Sequence, residues 1–168
     1  PEKLDIKLIL EESDILMQRA VYGLRLPDHF DVITVPCGLP QTKPRALNYA
    51  LPFARGRLLT IYDAEDIPDP GQLRQAAETF AALPQDTACL QAALVFDNHS
   101  ENWLTRQFTI EYATLFGVLL PTLACHHLPL PLGGTSNHFR TDILRKVGAW
   151  DPYNVTEDAD LGLRLARF

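Results

Sequence analysis

The sequence predicts an α/β domain: a Rossmann-like, mostly parallel sheet with helices on both faces. Two observations carry this. Short apolar segments rich in β-branched residues alternate with segments of helical period over the first hundred residues. The chain also has 168 residues, of which 46% are hydrophobic and 21% charged, which suits one domain with a single sizeable core.

The elements follow in order. "LDIKLIL" (4–10) reads as a strand and "ILMQRAVYGL" (15–24) as a helix. "FDVITVP" (30–36) is a second strand, closed by Pro36. "ALNYALPFA" (46–54) has helical spacing and ends near Gly56. "RLLTIYD" (57–63) is a third strand, the Ala-rich "GQLRQAAETFAAL" (71–83) a helix, and "ACLQAALVF" (88–96) a fourth strand. From Trp103 the pattern changes to a long helix, a Pro-rich loop (129–133), the segment "GGTSNHFR" and short helices to the end. Residues 112–125 are apolar, but Arg106 and Glu111 precede them and Pro121 interrupts them. That run is too short to span a bilayer, and a buried helix is expected, with an interfacial one as the alternative. Trp103, Phe108, Tyr112 and Phe116 share one helical stripe, expected in the core or on a membrane-facing surface.

Composition excludes some functions. A formal net charge of −6 leaves no overall electrostatic footprint for nucleic acid or anionic lipid. Cys37, Cys89 and Cys125 are odd in number and lack Cys-x-x-Cys spacing, which argues against a disulfide framework and a zinc site. No signal peptide opens the sequence, and no internal repeat is visible.

The chemistry gathers at strand ends, where open α/β sheets bind ligands. The strand 57–63 runs into Asp63, Glu65 and Asp66. In extended backbone Asp63 and Glu65 face the same way and could offer two oxygens to Mg²⁺ or Mn²⁺. Glu11, Glu12 and Asp14 follow the strand 4–10. In "TKPRALNYA" (42–50), Thr42 suits an N-cap and Pro44 a first turn, while Lys43 and Arg45 add charge where the helix dipole favours an anion. That is either a phosphate seat or a capped helix with solvated cations. Thr156 is expected to cap a helix whose first turn carries Glu157, Asp158 and Asp160, an ordinary way to stabilise a helix start. Arg164 is placed to pair with Asp160 at i,i+4. In "LGGTSNHFR" (132–140), two glycines admit close backbone approach to a ligand. The histidines carry no metal spacing: His29 and His99 are expected at the surface, His126 and His127 in a loop, and His138 in packing.

Five motifs in order, Glu11-Glu12, Lys43-x-x-Ala46-Leu47-Asn48, Asp63-x-Glu65-Asp66, Gly133-Gly134-Thr135-Ser136 and Thr156-Glu157-Asp158, closely resemble those of family 2 glycosyltransferases of the GT-A fold. Within them the chain is most similar to bacterial, membrane-associated enzymes related to cellulose synthase. The resemblance implies an inverting transferase that moves a sugar from a UDP-sugar to a glycan or other hydroxyl acceptor, in polysaccharide synthesis. It implies that Glu12, Lys43 and Asn48 line the donor's nucleoside and diphosphate. It implies that Asp63 and Glu65 hold Mg²⁺ or Mn²⁺, that Gly134, Thr135 and Ser136 lie beside the donor sugar, and that Asp158 is the catalytic base. Residues 1–100 would form the nucleotide-sugar half of one domain and 101–168 the acceptor and catalytic half. Two family features are not found, a first strand ahead of residue 4 and a Gln-x-x-Arg-Trp segment. The resemblance therefore implies a piece of a larger protein with membrane helices, working at the cytoplasmic face of the inner membrane. The piece itself would be soluble and, with two inner strand edges open, is expected to be oligomeric or less stable. A nucleotidyltransferase would show a Gly-rich phosphate loop near its start, which is absent; a non-catalytic nucleotide-sugar-binding module is the remaining alternative.

Overall fold

The computed structural model describes residues 4–168. Strand β1 (Ile6–Glu11) is followed by α1 (Ile15–Tyr22), β2 (Phe30–Val35), α2 (Lys43–Ala50) with a 3₁₀ turn (Leu51–Phe53), β3 (Leu58–Ile61), α3 (Gln72–Ala82) and β4 (Cys89–Gln91). The second part holds α4 (Trp103–Thr114), a π-helical segment (Leu115–Leu119), α5 (Leu120–Cys125), β5 (Asn137–Arg140), α6 (Thr141–Lys146) and α7 (Glu157–Arg167). This is the α/β class expected.

The sheet comes in two parts. β1 and β2 pair in parallel, with Ile6 opposite Phe30 and Glu11 opposite Val35. β5 lies between β3 and β4 and is antiparallel to both, so β3 and β4 run the same way. The strand β5 is an addition to the sequence reading, which left "SNHFR" without an element. Its side chains explain the omission. Asn137 and His138 are polar yet 1% and 3% exposed: Asn137 Nδ2 donates to Gly133 O and His138 Nδ1 bonds Thr60 Oγ1, while His138 Nε2 has no partner among the described residues, so no apolar alternation marks the strand. The edge of β1 opposite β2 and the edge of β3 opposite β5 have no strand partner among the described residues. Both strands nevertheless pack Ile9, Leu59 and Ile61 onto one core, built from Leu47, Leu51, Phe139, Leu144, Trp150 and Leu161.

Two boundaries move for physical reasons. α2 starts at Lys43 rather than 46, since Pro44 occupies its first turn, where a missing N–H is harmless. β4 stops at Gln91, whose side-chain amide donates to Ala92 O and Thr135 O and diverts the chain from the ladder. A larger correction concerns the apolar run after Trp103. Trp103–Cys125 forms one continuous 23-residue helix, long and apolar enough by length and composition to cross a membrane. It is almost wholly exposed rather than buried. Pro121 does not break it; the π-helical widening just ahead accommodates the missing N–H. The aromatic stripe is not core: Trp103 is 73% exposed, Phe108 and Tyr112 pack against Phe96, and Phe116 packs against Tyr112.

Candidate active site

Four residues from four parts of the chain meet at the carboxyl end of β3. Lys43, the first residue of α2, puts its Nζ 2.5 Å from Asp63 Oδ1, and it also donates to the carbonyl of Gly134 at 2.5 Å. Asp158, in the first turn of α7, closes the group: a Cβ added to Gly134 would lie 3.3 Å from Asp158 Oδ2 and 4.0 Å from Lys43 Nζ. Glycine at 134 therefore keeps a narrow exposed gap between a carboxylate and a cation. The helix dipole of α2 is aimed at this gap, but its lysine is spent on Asp63, so the seat as it stands is an ion pair rather than a free cation.

The loop that carries Gly134 is pinned from three sides. Gly133 N donates to Gln91 Oε1 at 2.8 Å, and Ser136 N donates to Ile61 O at 2.9 Å. Thr135 Oγ1 donates to Asp66 and accepts from Asp63 N at 3.2 Å, while Asp63 N also donates to Asp66 Oδ2 at 2.8 Å. Ser136 is 5% exposed with φ +55°, a left-handed residue held by its neighbours. Thr135 and Ser136 thus build the loop, and Gly134 alone of the three is exposed. Asp66, given no role from the sequence, is the residue that ties this loop to β3.

Asp158 is electrostatically distinct. Burial pushes its carboxyl from the ordinary 3.8 up to about 6, neighbouring Glu157 and Asp63 push the same way, and Lys43 and a hydrogen bond from the Trp150 side chain oppose them. Trp150 is 3% exposed and packs edge-on against Phe139. Asn48 holds it: its Nδ2 donates to Trp150 O at 2.7 Å, and Trp150 N donates to its Oδ1 at 3.2 Å. Both ends of the Asn48 amide are therefore committed to the Trp150 backbone, so Asn48 positions Trp150. The pairing of residues 102 apart leaves no trace in the local sequence. Thr156 does not cap α7 with its side chain; its hydroxyl bonds Asn154 Oδ1 at 3.2 Å. Thr42 likewise makes no side-chain cap and donates to Pro152 O instead. Arg164 does pair with Asp160, at 2.7 Å, and also donates to Val147 O and Ala149 O. Gly162 lets α7 sit against the Pro-rich loop: a Cβ there would fall 2.0 Å from Leu130 O.

Glu12 stands apart from this group. Its Oε2 accepts from Cys37 N at 2.8 Å, and that backbone N–H holds the carboxyl below its usual range. Glu11 lies 3.9 Å from Arg45, whose guanidinium donates to Pro36 O. Glu65 is exposed in a turn after β3 with no polar partner among the described residues. The extended backbone that was to align it with Asp63 ends at Ile61, and Asp66 N closes a turn on Asp63 O at 3.1 Å. For a divalent metal the donor set is partial. Two hard carboxylates are present, and Asp63 already accepts one cation, Lys43. No group of three or more His, Cys, Asp or Glu among the described residues could hold an ion alone. Two carboxylates alone do not complete a Mg²⁺ or Mn²⁺ site, and phosphate and water oxygens would have to supply the rest of the shell. His138 is buried with Nδ1 2.7 Å from Thr60 Oγ1, a packing role as expected. The three cysteines are free thiols.

Comparison with known proteins shows the family of the chain. The family model described as "Glycosyltransferase like family 2" matches residues 8–168. A curated relative, "Probable glucomannan 4-beta-mannosyltransferase 1" of Arabidopsis thaliana, is 26% identical over 107 residues, 64% of this chain and 19% of its own length. The chain thus spans about a fifth of that relative. With the match running through Asp63, Gly134 and Asp158 alike, the chain belongs to the glycosyltransferase family 2-like proteins.

Proposed function

We propose that this domain transfers a sugar from a nucleotide-sugar, with UDP as the nucleotide, to a hydroxyl of a glycan acceptor with inversion of configuration. The observation that carries this reading is the convergence of Lys43, Asp63 and Asp158 around the exposed Gly134, with Asp158 held at about 6. A carboxylate with that value is ionised at neutral pH yet basic enough to take a proton from an attacking hydroxyl. Lys43 is placed to exchange Asp63 for the leaving diphosphate and to offset its growing charge. Gly134, without a side chain, leaves the approach to Asp158 and Lys43 open. Asp63 and Glu65 would hold Mg²⁺ or Mn²⁺, which when bound supplies Lewis-acid neutralisation of the diphosphate. Displacement then runs in one step, with the acceptor's proton passing to Asp158 and no covalent sugar on the protein.

Polysaccharide synthesis as the larger role is supported by the mannosyltransferase relative. Attachment to a membrane is supported by the exposed, apolar Trp103–Cys125 helix. Self-association is supported by the unpaired edges of β1 and β3.

Calorimetric titration of UDP with and without Mn²⁺ tests the reading. Mn²⁺-dependent binding that is lost in Asp63→Asn is expected. Binding that ignores both the metal and the substitution would overturn the donor site.

A further inference from the structure

A large cavity lies away from the site at Gly134. It has a volume of about 960 Å³ and opens at the other end of β3, where Arg57 and Leu58 enter the strand and Arg140 leaves β5. Five cationic residues line it, Arg55, Arg57, Arg140, Arg145 and Lys146, against two acidic ones, Asp86 and Asp142. In a chain whose net charge is −6, this is a concentrated reversal of sign. Clefts lined by one sign of charge focus their field on an incoming counter-ion.

The cations differ in what they already hold. Arg55 is committed to Asp5 and Asp31. Arg140 stacks on Phe80 and donates to Phe80 O, Pro84 O and Thr87 O, and Arg145 donates to Leu51 O and Ala54 O. Those bonds fix both guanidiniums in place, but carbonyls leave their full positive charge uncompensated. Arg57 is exposed with no side-chain partner among the described residues, and Lys146 has only an exposed contact of 3.6 Å with Asp142. Thr141 in the same wall is 3% exposed and has a hydroxyl with no partner among the described residues. A buried hydroxyl left unsatisfied is uncommon. Phe80, Leu165 and Phe168 add an apolar wall.

We propose that this cavity is a second binding site, separate from the sugar-transfer site, for a phosphate-bearing organic anion. Arg57 and Lys146 close on the phosphate, Arg140 and Arg145 supply fixed positive charge behind it, and the apolar wall takes the carbon part of the ligand. Planar guanidiniums and ammonium groups are the side chains that recognise phosphate. The phosphate could belong to a lipid headgroup or to a soluble metabolite, and the experiment separates them.

Amide NMR of the chain, titrated with pyrophosphate in metal-free buffer, is expected to shift Leu58 and the residues of α6. The double substitution Arg57→Glu/Lys146→Glu should weaken that response by roughly tenfold or more, as loss of two charged hydrogen bonds implies. Both side chains are exposed, so the fold is retained, and Arg57→Gln/Lys146→Gln serves as a milder check. Asp63→Asn should leave the response unchanged, so failure of the donor site and failure of this one read separately. Sedimentation with phosphatidylcholine vesicles, with and without phosphatidic acid, then assigns the source. Capture by the acidic vesicles that the double variant loses identifies a lipid headgroup. Absence of capture with retained binding of phenyl phosphate identifies a soluble ligand. Shifts confined to the region of Lys43 and Gly134, or shifts in α6 that persist in the double variant, would overturn the proposal.

Discussion

Replacing Asp158 by asparagine should make the protein more stable and less active at the same time. The structure sets the size of the first effect. The carboxyl is raised from 3.8 to about 6 chiefly by burial, so its ionised form is held against a penalty. That rise corresponds to about 3 kcal/mol. The side chain is only half-buried, and screening by solvent reduces this to roughly 1–2 kcal/mol. Between pH 3.8 and about 6 the folded chain binds more protons than the unfolded one, so the wild type loses stability as pH rises through that window and the loss is complete above it. Asparagine cannot ionise, keeps an acceptor for Trp150 and removes the penalty. Urea denaturation at pH 7.5 should therefore show Asp158→Asn more stable by roughly 1–2 kcal/mol, and at pH 5 the advantage should fall to about half. Turnover in the intact parent should drop by roughly 10²–10⁴, the usual weight of a general base. A variant no more stable than wild type at pH 7.5, or one whose advantage ignores pH, would refute the assignment of a burial-strained carboxylate. Turnover preserved within about tenfold would reduce Asp158 to a helix-start charge.

Three further outcomes follow from contacts at and around the site. Asn48→Ala leaves the N–H and C=O of buried Trp150 without their partner, so chemical denaturation should show a loss of about 1–3 kcal/mol, and the titration midpoint of Asp158 followed by carboxyl NMR should move from about 6. Gly162→Ala drives a Cβ to within 2.0 Å of Leu130 O, a backbone atom, and should cost roughly 2–3 kcal/mol in the same assay while lowering turnover because α7 carries Asp158. Glu65→Gln touches nothing among the described residues, so its stability should stay within about 0.5 kcal/mol of wild type, whereas Mn²⁺-dependent UDP affinity in calorimetry should fall.

The α/β alternation, the acidic ends of β1 and β3, and the places of Lys43, Asp63 and Asp158 were all legible in the linear sequence. They rest on local rules: hydrophobic period, β-branched composition, and a proline whose missing N–H suits a first turn. The order of five motifs along the chain resembles that of family 2 glycosyltransferases, and that resemblance is what suggested that these residues work together. What lay beyond the sequence depends on partners far apart in it. Asn48 reads like a site residue beside Lys43, yet its amide is satisfied by Trp150, 102 residues on. Thr42 and Thr156 have the composition of caps, but tertiary neighbours at Pro152 and Asn154 take their hydroxyls. β5 is polar where a buried strand should be apolar, because hydrogen bonds to Thr60 and Gly133 replace hydrophobic burial. The apolar run after Trp103 shows the same limit from the other side: its period demands a helix, but whether a greasy helix is covered or bare depends on what packs against it. Periodicity tells a segment which face is apolar. Only the assembled structure decides what that face meets, because burial and hydrogen-bond satisfaction belong to pairs of residues and not to either one alone.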